Sequence, residues 1–456
     1  MTGKKEHMNK LEMNSFLAQE FGKSQNYTGI ENSLYRQNDV KKGLRNEDGT
    51  GVIVGLTRIS DVVGYEMDAA GRKKDIPGKL YYRGIDLKEL TDAHRDDAGG
   101  YEEVMFLLLF GFLPDKQELD EFKSLFRQMY PLPGDFLEMN ILRVPTQNIM
   151  NKLQHAILTL YSYDQDPDNS DTYPTLLKGL RIVAQLPSIM CYAYQSMLHY
   201  FKRSSLIIHY PREDFSIPEN ILCMLREDRK FSDREAILLD KLFMVLADHG
   251  GGNNSTFTDV VVSSAGTDIY SAVAAATGAL KGPRQGGANV LVTQLMHSVI
   301  SEIGISAGTE EMKQIVNRIL DRDFFDKSGT LYGFGHVIYT ISDPRAEIIR
   351  ECSVALAEEK GKMKELDFYI RFEQAAKEVM KERYGTVPPT HVDFYTSFVY
   401  DMLLIPTDLF SAVYVCARTV GWIAHNLENK MYDGRIMRPA TKYIGEITHY
   451  VPILDR

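Results

Sequence analysis

A mainly α-helical fold with a small β element near the N-terminus is what this 456-residue sequence predicts, and three observations predict it. Most of the chain reads as long apolar stretches ended by glycine or proline, the pattern of core helices. One region only, Gly51 to Asp86, is β-prone. Hydrophobic residues make up 44% of the chain and charged residues 25%, an ordinary balance for a globular protein with a large core. The length would hold about three average domains.

Residues 1–50 are polar and lysine-rich with a modest apolar pattern (Leu11, Phe16, Phe21), and read as an arm of short helices. GVIVGLTRIS and GKLYYRGID follow as β-prone runs joined by a charged stretch with Gly71 and Pro77, which predicts a small hairpin-like sheet. Glu102-Glu103 then opens a strongly apolar helix that stops at Pro114. The run LLKGLRIVAQLPSIMCYAYQSMLHYF is broken at Pro187, predicting a kinked helix or two helices. EAILLDKLFMVLAD leads up to His249 and the stop Gly250-Gly251-Gly252. Thr267-Asp268 offers an N-cap for IYSAVAAATGAL, which ends at Gly282-Pro283. Charge-rich segments follow around Glu310–Asp323 and Glu358–Lys381, and no internal repeat is evident.

The formal charge of −10 argues against a nucleic-acid surface, which needs clustered Lys and Arg. It leaves open an anionic small ligand held by a few converging arginines. Cys191, Cys223, Cys352 and Cys416 are far apart and without a CxxC pair, so they read as reduced core thiols rather than zinc ligands or a disulfide framework. The first thirty residues hold no apolar signal-like run, and no stretch of about 18 uninterrupted apolar residues exists. The expected setting is cytoplasmic, with no membrane span, no nucleic-acid partner and no metal.

Two glycine-rich segments stand out at helix ends, where a reactive side chain can be shown to a ligand: ADHGGGNNST (247–256) and GPRQGGAN (282–289). Three more carry chemistry: GFGH (333–336), DPR (343–345) and VDFY (392–395). Together these segments resemble the citrate synthase family, from about Leu56 to Ile444. The resemblance implies a two-domain helical fold working as a homodimer, with the substrates in the cleft between domains. It places an N-terminal arm at 1–50, a large domain at 51–287 to which 408–456 returns, and a small domain at 288–407.

The activity implied is a Claisen-type condensation of acetyl-CoA, a co-substrate, with oxaloacetate, using no tightly bound cofactor. Asp393 matches the base that takes the methyl proton. His336 matches the donor to the ketone oxygen, where negative charge develops. Arg345, Arg418 and Arg438 match the arginines that clamp the carboxylates, a task for a planar guanidinium rather than lysine. Arg438 would reach the neighbouring subunit's site. His249 matches a histidine that contacts oxaloacetate, while His155, His199, His297 and His425 read as helix-face residues. Arg284, Gly286 and Gly287 would meet the CoA side.

Position 285 departs from the pattern. The family has there a histidine that bonds the thioester carbonyl and stabilises the enol, whereas this chain has Gln285. An amide cannot shift a proton near neutral pH but could donate an N–H. The expectation is impaired condensation, by about 10²–10⁴ in rate. The alternatives are a 2-methylcitrate synthase using propionyl-CoA, and a non-catalytic protein that binds dicarboxylates or CoA.

Overall fold

A computed structural model describes residues 15–23, 29–46, 49–68, 72–283, 285–432 and 434–456. The chain divides into two compact units, Met1–Leu56 and Thr57–Arg456. The first contains the short helix Asn32–Gln37 and an isolated bridge between Arg45 and Gly51.

The second unit opens with three antiparallel strands in sequence order: β1 (Ser60–Met67), β2 (Lys73–Tyr82) and β3 (Ile85–Asp86). The sheet was expected to begin at Gly51, but its first strand starts nine residues later. The register explains why: Met67 pairs with Lys73 and Ser60 with Tyr82, where β2 ends, so among the described residues no strand lies beside 51–58. A bulge between Val63 and Tyr65 places Gly64 against the chain at Ile338, where a Cβ would stand 2.3 Å from the carbonyl oxygen. Thr340 Oγ1 donates to the Gly64 carbonyl at 2.9 Å, so the ribbon braces the loop that follows GFGH.

The principal helices are α1 (Gly100–Phe110), α2 (Thr172–Lys202), α3 (Asp233–Leu246), α4 (Asn254–Ser263), α5 (Ile269–Leu280), α6 (Ala288–Ile303), α7 (Thr309–Leu320), α8 (Pro344–Glu359), α9 (Met363–Tyr384), α10 (Val392–Leu403) and α11 (Phe410–Met431). The start predicted for α5 holds, since Asp268 accepts the Ser271 N–H. α1 stops earlier than the expected Pro114, at Phe110, because Gly111 takes the left-handed conformation that closes a helix. Of the two alternatives at Pro187, division into two helices is excluded: α2 runs through it as one helix of 31 residues. Burial of nearly every side chain from Ile182 to Ala193 offsets the missing amide bond.

α11 lies at the centre of one group of helices, packing on α1, α2, α3, α4 and α5. It is buried almost without interruption from Phe410 to Leu427, including the chain's one tryptophan, Trp422. α6 packs on α10, α8 on α10, and α7 on α9, while α8 also rests on α3. Most of the predicted functional residues lie at helix ends in both groups or between helices. His249 comes just after α3, Gln285 between α5 and α6, and His336 before α8; Arg345 and Asp393 lie in the first turns of α8 and α10, and Arg418 within α11.

Candidate active site

The site begins with local pairing of two loops. Phe334 bridges Thr390, Gly335 N–H donates to the Pro389 carbonyl at 2.8 Å, and His391 N–H donates to the Gly333 carbonyl at 2.9 Å. Gly333 and Gly335 take φ of 89° and 92°, the left-handed region that disfavours other residues. This short ladder brings GFGH beside HVDFY. The His336 ring stacks on Tyr339 at 4.5 Å and on His391 at 5.6 Å, and meets the edge of His249 at 5.2 Å.

His336 Nδ1 accepts two backbone amides, from Ile338 at 3.1 Å and Tyr339 at 3.0 Å. Amides only donate, so Nδ1 is bare and the ring proton sits on Nε2. Burial, and then the Arg345 charge, push its pKa down to about 3, with Asp343 opposing them and His391 adding a smaller push down. At neutral pH His336 is therefore an uncharged Nε2–H donor. His249 is likewise held well below the usual histidine range, first by burial and then by Arg345, His336, Arg418 and His391. Its Nε2 is buried without a hydrogen-bond partner.

Arg345 is 2% exposed and is gripped by Asp343, Nε to Oδ1 at 3.0 Å and Nη2 to Oδ2 at 2.7 Å. Asp343 also N-caps α8 and accepts the Val392 amide at 3.3 Å, pinning the start of α10. Burial works against the Arg345 charge, but Asp343 outweighs it and raises its pKa. Asp393 follows on the first turn of α10, its Oδ2 3.3 Å from His391 Nδ1.

Arg418 enters from α11. Gly421, one turn on, lets that helix press against residue 247, where a Cβ would stand 2.4 Å from the Ala247 carbonyl oxygen. Arg418 Nε then donates to the Leu246 carbonyl at 2.6 Å and Nη2 to the Tyr414 hydroxyl at 2.9 Å. Nη1 is buried without a partner. A buried cationic donor left open is expensive unless a ligand meets it.

Asp248, next to His249, is tied to β1 through Ser60 Oγ, and the Tyr82 hydroxyl donates to the Asp248 carbonyl at 3.1 Å. His425, expected as a plain helix-face residue, is buried with Nε2 3.3 Å from Asp248 Oδ2.

Gln285 is anchored to the loop that follows His249: its Nε2 donates to Asn253 Oδ1 at 2.7 Å and to Ser255 Oγ at 3.1 Å. The expectation that its N–H would be offered to a ligand is therefore corrected. Both donors are taken, and Oε1 is buried without a partner. Gly286 packs under the Leu280 carbonyl, where a Cβ would lie 2.4 Å away, and its own carbonyl accepts Ser411 Oγ of α11 at 2.6 Å. Gly287 closes on Pro283 in the same turn. Both glycines shape this loop. Arg284 lies outside the described residues. Arg438 is exposed in the extended segment after α11, and among the described residues no hydrogen bond or ion pair joins it to the cluster.

His336, Asp343 and His391 bring ligand atoms within 4.8 Å of one another. They make a poor metal cradle, since Arg345 holds both Asp343 oxygens and two amides hold His336 Nδ1. Asp343, His391 and Tyr339 are cluster members that sequence reasoning did not place. The signal for Asp343 lay inside DPR and that for His391 directly before VDFY, as helix caps two residues ahead of Arg345 and Asp393.

A sequence model described as "Citrate synthase, C-terminal domain" matches residues 46–440. The citrate synthase of Haloferax volcanii is 33% identical over 90% of this chain and 96% of its own length. The 2-methylcitrate synthase of Shewanella oneidensis is 30% identical over 83% of this chain and 92% of its own. The crystal structure of citrate synthase from Pyrobaculum aerophilum superposes with a TM-score of 0.71 at 28% identity, covering 89% of this chain and 94% of that one.

Proposed function

The chain belongs to the citrate synthase family, and from that premise we propose that it condenses acetyl-CoA with oxaloacetate, with turnover reduced by Gln285. The observation that carries this reading is the set of open polar atoms beside a neutral histidine. Arg418 Nη1 and His249 Nε2 are buried and unpartnered, and His336 has its proton on the nitrogen not held by the backbone. A dicarboxylate with a ketone fits that set: a carboxylate on Arg418, and the ketone oxygen on His336 Nε2–H.

In this reading Asp393 takes the methyl proton of the acyl-CoA, and the enol carbon attacks the ketone. Charge then develops on the oxygen that His336 faces. Water hydrolyses the resulting thioester, releasing CoA and citrate. Arg345 supplies a second cation while Asp343 holds its guanidinium in plane. Gly286 and Gly287 line the CoA side with Arg284. Residues 288–407 form the small domain and close over 51–287 and 408–456.

The same reading makes the protein a cytoplasmic homodimer in which Arg438 reaches into the site of a second copy. Exposed apolar side chains along the C-terminal segment (Ile447 96%, Tyr450 81%, Leu454 93%) favour a covering partner. No helix among the described residues is long and apolar enough to cross a membrane, and the four cysteines are free thiols.

A second reading, 2-methylcitrate synthesis from propionyl-CoA, draws on the Shewanella relative, at nearly the same identity as the citrate synthases. The test is CoA thiol release from acetyl-CoA or propionyl-CoA with oxaloacetate, for this chain and for Gln285→His. Slow turnover that rises about 10²–10⁴-fold with histidine supports the proposal, and the faster acyl group chooses between the two synthases. Silence from both proteins with both thioesters defeats it, leaving a binding protein.

A further inference from the structure

The network behind Gln285 fixes which end of its amide is left without a partner. Asn253 N-caps α4, and its Oδ1 accepts the Ser255 backbone N–H at 3.2 Å. A backbone amide can only donate, so the Asn253 atom pointing inward must be oxygen. Trp422 Nε1–H donates to Ser255 Oγ at 3.2 Å, and an indole also can only donate. Ser255 Oγ therefore accepts from Trp422 and spends its one hydrogen on Asn253 Oδ1 at 2.8 Å.

Both groups that touch Gln285 are thus acceptors toward it, and the atom 2.7 Å from Asn253 Oδ1 and 3.1 Å from Ser255 Oγ must be the NH₂. Flipping the amide would set oxygen against oxygen at both contacts. What remains at the free end is Oε1, an acceptor only, buried and unpartnered. The anchors tie it to the site: Asn253 is four residues past His249, and Trp422 is four residues past Arg418 on α11.

We propose that Gln285 makes this an acceptor subsite, so that the chain selects CoA-linked groups carrying an N–H or O–H beside the acyl carbon, as in a hydroxyacyl thioester, over a bare acyl carbonyl. The inference rests on the CoA-binding reading of the site given above. A plain thioester oxygen would meet Oε1 acceptor to acceptor, which leaves two buried acceptors unpaired. A ligand N–H or O–H satisfies Oε1 without disturbing Asn253, Ser255 or Trp422.

Two neutral CoA thioethers of the same shape separate the cases. S-carbamoylmethyl-CoA ends in C(O)NH₂ and S-acetonyl-CoA in C(O)CH₃, so only the first brings a donor. Affinities are measured by calorimetry on the full-length protein with oxaloacetate present, and repeated on Gln285→Met. The expected result is a preference of about tenfold or more for the carbamoylmethyl compound, abolished in Gln285→Met. Equal affinities, or tighter acetonyl binding, overturn the acceptor subsite while the CoA-binding reading stands. Binding of neither compound overturns both.

Discussion

Arg345 and Asp343, two residues apart, are joined by two parallel bonds of 3.0 and 2.7 Å with both side chains buried. The arginine expected to clamp a ligand carboxylate thus already holds a carboxylate of its own. Asp343 fixes the orientation of the guanidinium, and the same oxygens cap α8 and tie down α10. In the proposed function, a ligand anion would therefore meet a preorganised cation rather than a mobile one.

Replacing Asp343→Asn preserves the shape and a capping oxygen but leaves the Arg345 charge buried and unpaired. The cost is about 3–5 kcal/mol, read as a lowered urea midpoint. Oxaloacetate should recover part of it, giving a larger thermal shift in the variant than in the parent. A variant as stable as the parent would mean that the pair does not hold the site together.

His336 should keep its proton on Nε2 and remain uncharged from about pH 5 to 8, a state that nitrogen NMR of the ring reports directly. The pKa is depressed, from the usual 6.5 to about 3, mainly by burial and Arg345. The unfolded chain therefore takes up the proton first as the pH falls. The stability contributed by neutral His336 is full above pH 6.5 and is lost as the pH drops toward 3. His336→Gln should flatten that part of the stability profile. Protonation of Nδ1 at neutral pH would contradict the two amide bonds.

The sequence made these residues visible unevenly, for physical reasons. Caps act within a turn or two, so Asp268 could be placed from local chemistry, whereas the end of α1 was expected at Pro114 and falls at Gly111. The strand start could not be placed locally, because the pairing of Ser60 with Tyr82 depends on a partner that ends there. Pro187 left one kinked helix or two helices open for the same reason, since the core around α2 decides whether the helix survives it. In the site, the resemblance to citrate synthases pointed to His249, His336, Arg345, Arg418 and Asp393. The orientation of Gln285 was hidden, because it is set by a tryptophan 137 positions away.

Arg418→Lys tests the open guanidinium. Lysine keeps the charge but cannot reach the Leu246 carbonyl, the Tyr414 hydroxyl and a ligand at once. Oxaloacetate binding should weaken by about 1.5–3 kcal/mol, the worth of a charged hydrogen bond, with the thermal shift reduced accordingly. Arg438→Ala should also abolish the shift if a second copy's arginine completes the site. Undiminished shifts in both would remove the clamp from the proposal.

The last prediction concerns a proton buried between α4 and α11. Asn426 Nδ2 donates to Asp259 Oδ2 at 3.1 Å, while Asp259 Oδ1 and Asn426 Oδ1 are both buried without partners. One proton on Asp259 Oδ1 would serve both orphan oxygens by closing a two-bond ring with the amide. Burial raises the Asp259 pKa from 3.8 to about 7, with Asn426, His425 and Lys430 opposing. A raised carboxyl pKa gives stability that is full below pH 3.8 and lost as the pH rises through about 7. The loss is at most about 4 kcal/mol. Asp259→Asn keeps the ring of two bonds with no proton to lose. It should match the parent below pH 4 and exceed it by a few kcal/mol at pH 8, in urea midpoints measured side by side. A constant gap between the two proteins across that range would place no proton on Asp259.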